Sequence, residues 1–301
     1  MGRPDSEPEV SALQPGRKRK FLSYNRESGS PFPLDENQRE VTRFSGERFF
    51  VLARIAILAS VLAMACKTAN VGPPRGSPET SAIRLNWQLP PALEANRAEY
   101  QREVSQALED VARFFRSSGF KVAPRELIDS VVLFEKTSDA RGYFAKTFGT
   151  PPEALPDTFA GTVDGRTLYL VSREAYEGIW KQLYPEWPWT ESTYHGLIVH
   201  ELTHRAHESI AISRLGSADA MGPPWFFEGL AVVCARQFEE TRYLMTREEI
   251  QSLVGGTAPP AVSYPLYGRL VRSLAGQFGM KVLITRASEP GFPGVLWTTH
   301  S

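Results

Sequence analysis

From Leu93 onward the apolar residues Leu93, Tyr100, Val104, Leu108, Val111 and Phe115 recur mostly at three- and four-residue steps. That period predicts a long amphipathic helix, and Gly119 is placed to close it. Val131–Phe134 is short, apolar and β-branched, and predicts a strand. The runs Phe159–Val163 and Thr167–Val171 flank Asp164-Gly165, a pair suited to a tight hairpin turn. After Ser172 the pattern is helical almost throughout, and no internal repeat is visible. Mixed elements followed by helices predict an α+β domain of two lobes over residues 91–288.

The flanks carry other patterns. Residues 1–47 are polar and predicted to be unstructured; their dense basic run Arg17–Lys20 reads as a solvated tail. Residues 67–90 are rich in Pro, Gly, Ser and Thr and read as a linker. Residues 289–301 lack periodicity and read as an irregular tail. Between them, residues 48–66 stand apart. The uncharged run Ile55–Ala65 follows Arg43, Arg48 and Arg54; it is too short to span a bilayer but suits the apolar region of a secretory signal. Ala63 and Ala65 then lead into Cys66.

This stretch resembles the lipobox of bacterial lipoproteins, in which the cysteine is lipidated and becomes the mature N-terminus. Such boxes favour Leu three places before the cysteine, whereas here Leu62 stands four before. The resemblance implies a lipid anchor at Cys66, membrane association through 48–66 and a bacterial envelope address. Lys67 then points to the outer membrane of a Gram-negative cell. The alternatives are secretion to the periplasm and a single anchoring helix, Phe49–Ala65, interrupted by Arg54. The forty-odd polar residues ahead are an awkward fit to a signal peptide; one hypothesis is that translation begins nearer Val41, the alternative a start at Met1.

Composition narrows the classes. The hydrophobic share of 42% and aromatic share of 11% are those of a chain with a packed core. Basic and acidic side chains balance at 34 each, so no global field favours nucleic acid as a partner. The two cysteines exclude a disulfide framework and a cysteine-rich zinc module. Cys234, beside Val232 and Val233, reads as a small buried hydrophobe.

The chemistry concentrates in Leu197-Ile198-Val199-His200-Glu201-Leu202-Thr203-His204. Positions four apart on a helix share a face, so His200 and His204 can present both imidazoles to one ion. Glu201 lies about 100° round the helix and does not join them as a ligand. It can reach a water on the same metal, where a general base is needed. Apolar neighbours predict a buried helix, with Thr190 or Ser192 to cap it. A catalytic zinc takes three protein ligands and keeps one position open. The metzincin extension is excluded, because it needs Gly and His where this chain has His207 and Ile210. Downstream stands Pro223-Pro224-Trp225-Phe226-Phe227-Glu228-Gly229-Leu230-Ala231, whose Pro pair marks a helix start.

Here the chain resembles the gluzincins, the thermolysin-like clan of zinc metallopeptidases. Its peptidase MA-like members carry a W-x-x-E-G-L-A signature after the HExxH helix, matched at 225–231. The resemblance covers roughly Ala92 to Gly279 and is motif-grade over 197–231. It implies Zn2+ held by His200, His204 and Glu228, with Glu201 as the base. It also implies an N-terminal lobe with a small mixed sheet over the HExxH helix, and a helical C-terminal lobe. The strand Thr167–Val171 becomes the expected edge for an extended peptide or protein substrate. Related enzymes place a Tyr or His donor on a later helix to face the oxyanion. Ser263–Val271 resembles that segment, with Tyr264 the expected donor and Tyr267 behind it. His207 is expected to be exposed and His195 structural. The chain has no G-x-M-E-N exopeptidase motif, so an endopeptidase is expected. The competing expectation is a non-catalytic, zinc-containing envelope lipoprotein that binds peptide or plays a structural role.

Overall fold

A computed structural model describes residues 83–239, 244–254 and 263–298. The segment 1–47, the apolar run with Cys66, the linker as far as residue 82 and the last three residues lie outside the described residues. Among the described residues no helix is long and apolar enough to cross a membrane.

A 3-10 turn at Pro91–Asn96 leads into helix α1, Arg97–Ser117. The apolar steps from Tyr100 to Phe115 are its buried stripe, Leu93 is buried in the turn before it, and Gly119 follows with φ 82°. The short helix α2 (Pro124–Leu127) precedes strand β2, Ser130–Phe134. Helix α3 (Thr137–Phe148) then leads to the hairpin of β3 (Gly161–Asp164) and β4 (Thr167–Val171). Gly165 has φ 58° at the first loop position, the geometry that primed hairpin turns require. Arg166 beside it reaches both oxygens of Asp129 at 2.5 and 2.6 Å and the Glu126 carbonyl at 2.6 Å, tying the hairpin to the start of β2.

The first strand, β1, is Asn86–Gln88, inside the stretch read as linker. It pairs parallel with β2 through Trp87↔Val131, and Trp87 packs on the core. The folded part therefore starts ahead of Pro91. The sheet order is β1-β2-β4-β3, with β2 and β4 parallel and β3 antiparallel to β4. The expected substrate edge is thereby corrected: Thr167–Val171 is bonded on both sides, and β3 carries the outer edge. The burial pattern explains why. Leu168 to Val171 are all buried, as an interior strand demands, while the residues of β3 are half-buried.

Alternating residues divide between two layers. Val131, Leu133, Leu168 and Leu170 face the main core with α1. Val132, Phe134 and Tyr169 face the other way, onto Ala140 and Phe144 of α3. Helix α4 (Arg173–Leu183) follows β4, and from there the chain is helical: α5 Glu191–Leu215, α6 Pro224–Cys234, α7 Arg247–Val254, α8 Tyr264–Phe278, α9 Met280–Arg286 and α10 Val295–Thr298. This is mixed α and β structure with a small mixed sheet, compatible with the α+β expectation.

Helix α5 is the axis. It packs against α1 on one side, α6 on another and β3 and β4 across its middle. Helices α6 and α8 cross closely because glycines face the contact. A Cβ on Gly229 would stand 2.5 Å from the Tyr267 carbonyl oxygen, and one on Gly268 would run into Val232. The tail read as irregular is anchored: Phe292 stacks on Trp225 at 5.7 Å, Trp297 meets Phe278 at 5.5 Å, and Leu296 is fully buried.

Candidate metal centre

Helix α5 is capped by Thr190, whose backbone N–H donates to Thr193 Oγ1 at 3.0 Å, the reciprocal arm of a capping box. Ten residues on, His200 and His204 lie one turn apart, their rings 4.9 Å between centroids and 80° apart in plane. Helix α6 opens with Pro224 at its first position and sets Glu228 one turn in. Both rings of the aromatic pair hold α6 on α5: Phe227 meets His204 and Phe226 meets His207, each at 5.8 Å. Glu228 is thereby turned to the imidazoles. Its Oε2 stands 3.2 Å from His200 Nε2 and 3.5 Å from His204 Nε2.

One nitrogen of each histidine and one carboxylate oxygen of Glu228 all lie within 4.8 Å of one another. Donors at about 2.0–2.1 Å from a tetrahedral ion stand ~3.4 Å apart, and the two separations from Glu228 Oε2, 3.2 and 3.5 Å, are of that size. Two imidazoles and one carboxylate suit first-row divalent metals. Three donors leave a fourth position for a water or another ligand.

The charges agree with that grouping. Burial alone would raise the Glu228 carboxyl, yet the charges and hydrogen bonds of His204 and His200 hold it far below the usual carboxylate range. Burial works against charge on His204, but Glu228 and Glu201 lift it above its ordinary value. Burial raises the Glu201 carboxyl, with His200 and His204 pulling the other way. Glu201 lies under β3. A Cβ on Gly161 would come within 3.3 Å of its Cγ, so the absent side chain leaves the carboxylate room beneath the sheet edge.

Tyr264, the first residue of α8, is brought to the same place. Its ring lies 5.4 Å from that of His200, and burial holds its hydroxyl protonated far above the usual phenol range. Tyr267 is buried instead against α6, its carbonyl over Gly229. His195 is off the ligand face and pairs with Asp110 of α1 at 3.0 Å. Cys234 is buried at the end of α6 and its thiol is pushed up to about 12. Two features had no sign in the sequence. Gln237, beyond the end of α6, places Oε1 3.1 Å from His200 Nδ1. The phenols of Tyr176 and Tyr184 are raised chiefly by burial, and further by Glu201 and Glu228 respectively, so both belong to the surroundings of the carboxylates.

The expected exposure of His207 is corrected: only 1% of it is exposed. Helix α6 covers this turn of α5 and lays Phe226 over the ring. Its Nδ1 has no hydrogen-bond partner among the described residues. Burial, then the nearby His204, pushes the imidazole down to about 3. The unfolded chain protonates it near pH 6.5, so between about pH 6.5 and 3 the unfolded state holds the extra proton and stability falls with pH. The loss is about 1.4 kcal/mol per pH unit. In His207→Leu that slope should vanish. Denaturant melts at pH 7 and pH 5 should show wild type losing about 2 kcal/mol more than the variant between them.

Comparisons of the chain with protein-family models, curated proteins and solved structures found no match. The functional reading therefore starts from the site itself.

Proposed function

We propose that this chain is a zinc-dependent peptidase of the gluzincin type, with His200, His204 and Glu228 as the zinc ligands. The observation that carries the reading is the convergence of their donor atoms within 4.8 Å, beside Glu201, the half-buried residue that follows His200 and is not part of the set. Zinc bound by such a set supplies a Lewis acid and an acidified water.

The rest of the chemistry belongs to the chain. Glu201 takes a proton from the attacking water and returns it to the departing amine. A carboxyl raised by burial suits both halves of that task, since it accepts a proton readily and releases it again. Tyr264 stays protonated and donates to the oxyanion that develops on the scissile carbonyl. An extended peptide adds to the outer edge of β3, where Gly161 lets its backbone approach Glu201. No residue of this edge is charged before Asp164, which favours backbone recognition over a charge preference. In this reading the lobes of the gluzincin fold are the sheet with α1 to α4 and the helices from α6 onward, joined by α5. The envelope address is part of the same proposal and rests on the sequence around Cys66.

Incubation with a mixed peptide library tests the activity. Cleavage at internal bonds is expected, lost with a chelator and restored by zinc. Stoichiometric zinc with no cleavage of any peptide would favour the non-catalytic lipoprotein instead.

A further inference from the structure

We propose that Gln237 is a positioning residue for the metal centre, held by a purpose-built turn and fixing which nitrogen of His200 can bind an ion. The inference rests on the metal-binding reading above and adds to it a residue that neither the HExxH helix nor the W-x-x-E-G-L-A helix contains.

The geometry begins at His200. Its Nε2 faces Glu228 Oε2 at 3.2 Å, and its Nδ1 faces Gln237 Oε1 at 3.1 Å. A neutral imidazole carries one proton. Both neighbours are acceptors and compete for that proton; once an ion stands between Nε2 and Glu228, the amide oxygen holds the proton on Nδ1 and the Nε2 lone pair is left for the metal. Turning the amide over would offer N–H to Nδ1, move the ring proton to Nε2 and block the ion. A glutamine whose oxygen is kept on the histidine therefore selects the ligating tautomer.

Its backbone is held accordingly. Gln237 lies between Arg236 and Phe238, both with φ 55°, in the left-handed region that side chains other than glycine seldom enter. Such conformations persist where surrounding structure over-determines them. Three holds do so here. The Gln237 N–H donates to the Val232 carbonyl at 3.0 Å, closing the end of α6. Arg272 of α8 donates to the carbonyls of Gln237 and Phe238, at 3.4 and 3.0 Å. The Phe238 ring is enclosed by Trp180, Tyr184 and Trp187, at 5.2, 5.0 and 5.0 Å between centroids. On the other side α5 offers Gly196, one turn before His200. A Cβ there would touch Gln237 Cγ at 3.4 Å, so a larger side chain would displace the glutamine.

The test compares full-length wild type with Gln237→Leu and Gln237→Glu in zinc competition against a chromophoric chelator. Leu keeps the bulk and removes the acceptor, and should weaken zinc about 10–100-fold, with the melting temperature of the metal-free protein little changed. Glu restores an acceptor and should bind zinc at least as tightly as wild type. A Leu variant that binds zinc within twofold of wild type overturns the inference while the metal-binding reading stands. Wild type that takes up no zinc overturns both. Should the Leu variant fail to fold, long-range 15N–1H spectra of the zinc-loaded wild type decide. A proton on Nδ1 of His200 supports the proposal, and one on Nε2 overturns it.

Discussion

Glu201→Gln is expected to cleave peptide about 10²–10⁴-fold more slowly than wild type while binding the same amount of zinc. The two side chains have nearly the same shape, so the pocket under Gly161 should survive the change. What disappears is a group that can take up and release a proton. In wild type, burial lifts the carboxyl above its ordinary value, while His200 and His204 restrain it. The acid limb of the rate against pH should therefore lie above the ordinary carboxylate range and be absent from what activity the variant retains. Loss of rate together with loss of zinc would instead place residue 201 among the ligands.

Glu228→Gln is expected to weaken zinc by more than the roughly 10–100-fold that loss of an outer partner costs, because it removes a charged donor rather than a group orienting one. Activity should fall with it. Glu228 is the hub of the metal-free site: its carboxylate is held ionised by His204 and His200 against the cost of burial. The amide keeps the volume between Phe227 and Gly229 but not the charge. Helix α6 should stay seated on α5, because the contacts that seat it are aromatic, from Phe226 and Phe227. A near-unchanged far-ultraviolet spectrum should accompany the loss of metal.

How much of this was legible in the chain follows from where the physics is local. Helix α1 showed itself through its apolar period, and α5 and α6 through motif spacing and the Pro pair, since each depends on residues a few places apart. Strand β1 was hidden because Asn86-Trp87-Gln88 is too short to alternate and lies beside a Pro- and Gly-rich run. The hairpin was visible, but its outer strand was misjudged; the continuous apolar run Leu168–Val171 is what an interior strand looks like. The tail carried no period because Phe292, Leu296 and Trp297 anchor it one at a time. His207, one turn beyond His204, was expected to be exposed, yet α5 is buried on several faces at once.

The site divides the same way. His200, Glu201 and His204 share one helix, and Glu228 sits in a recognisable pattern, so residue identity alone brought them forward. That their donor atoms meet depends on the crossing of α5 and α6, which the structure supplies. Gln237 could not be found from sequence: it acts from a turn built of non-glycine residues in left-handed conformations, whose holds come from α8 and from the aromatic cluster around Phe238. Tyr264 could be named only by resemblance; its placement by His200 depends on the glycine contact between α6 and α8.

The most direct test of the centre is a zinc titration of wild type beside Glu228→Gln, with metal content measured after removal of free ion. One zinc per chain, tightly held by wild type and largely lost from the variant, is the predicted result. Equal zinc content in the two proteins, or none in wild type, would contradict the assignment of His200, His204 and Glu228 to a single ion.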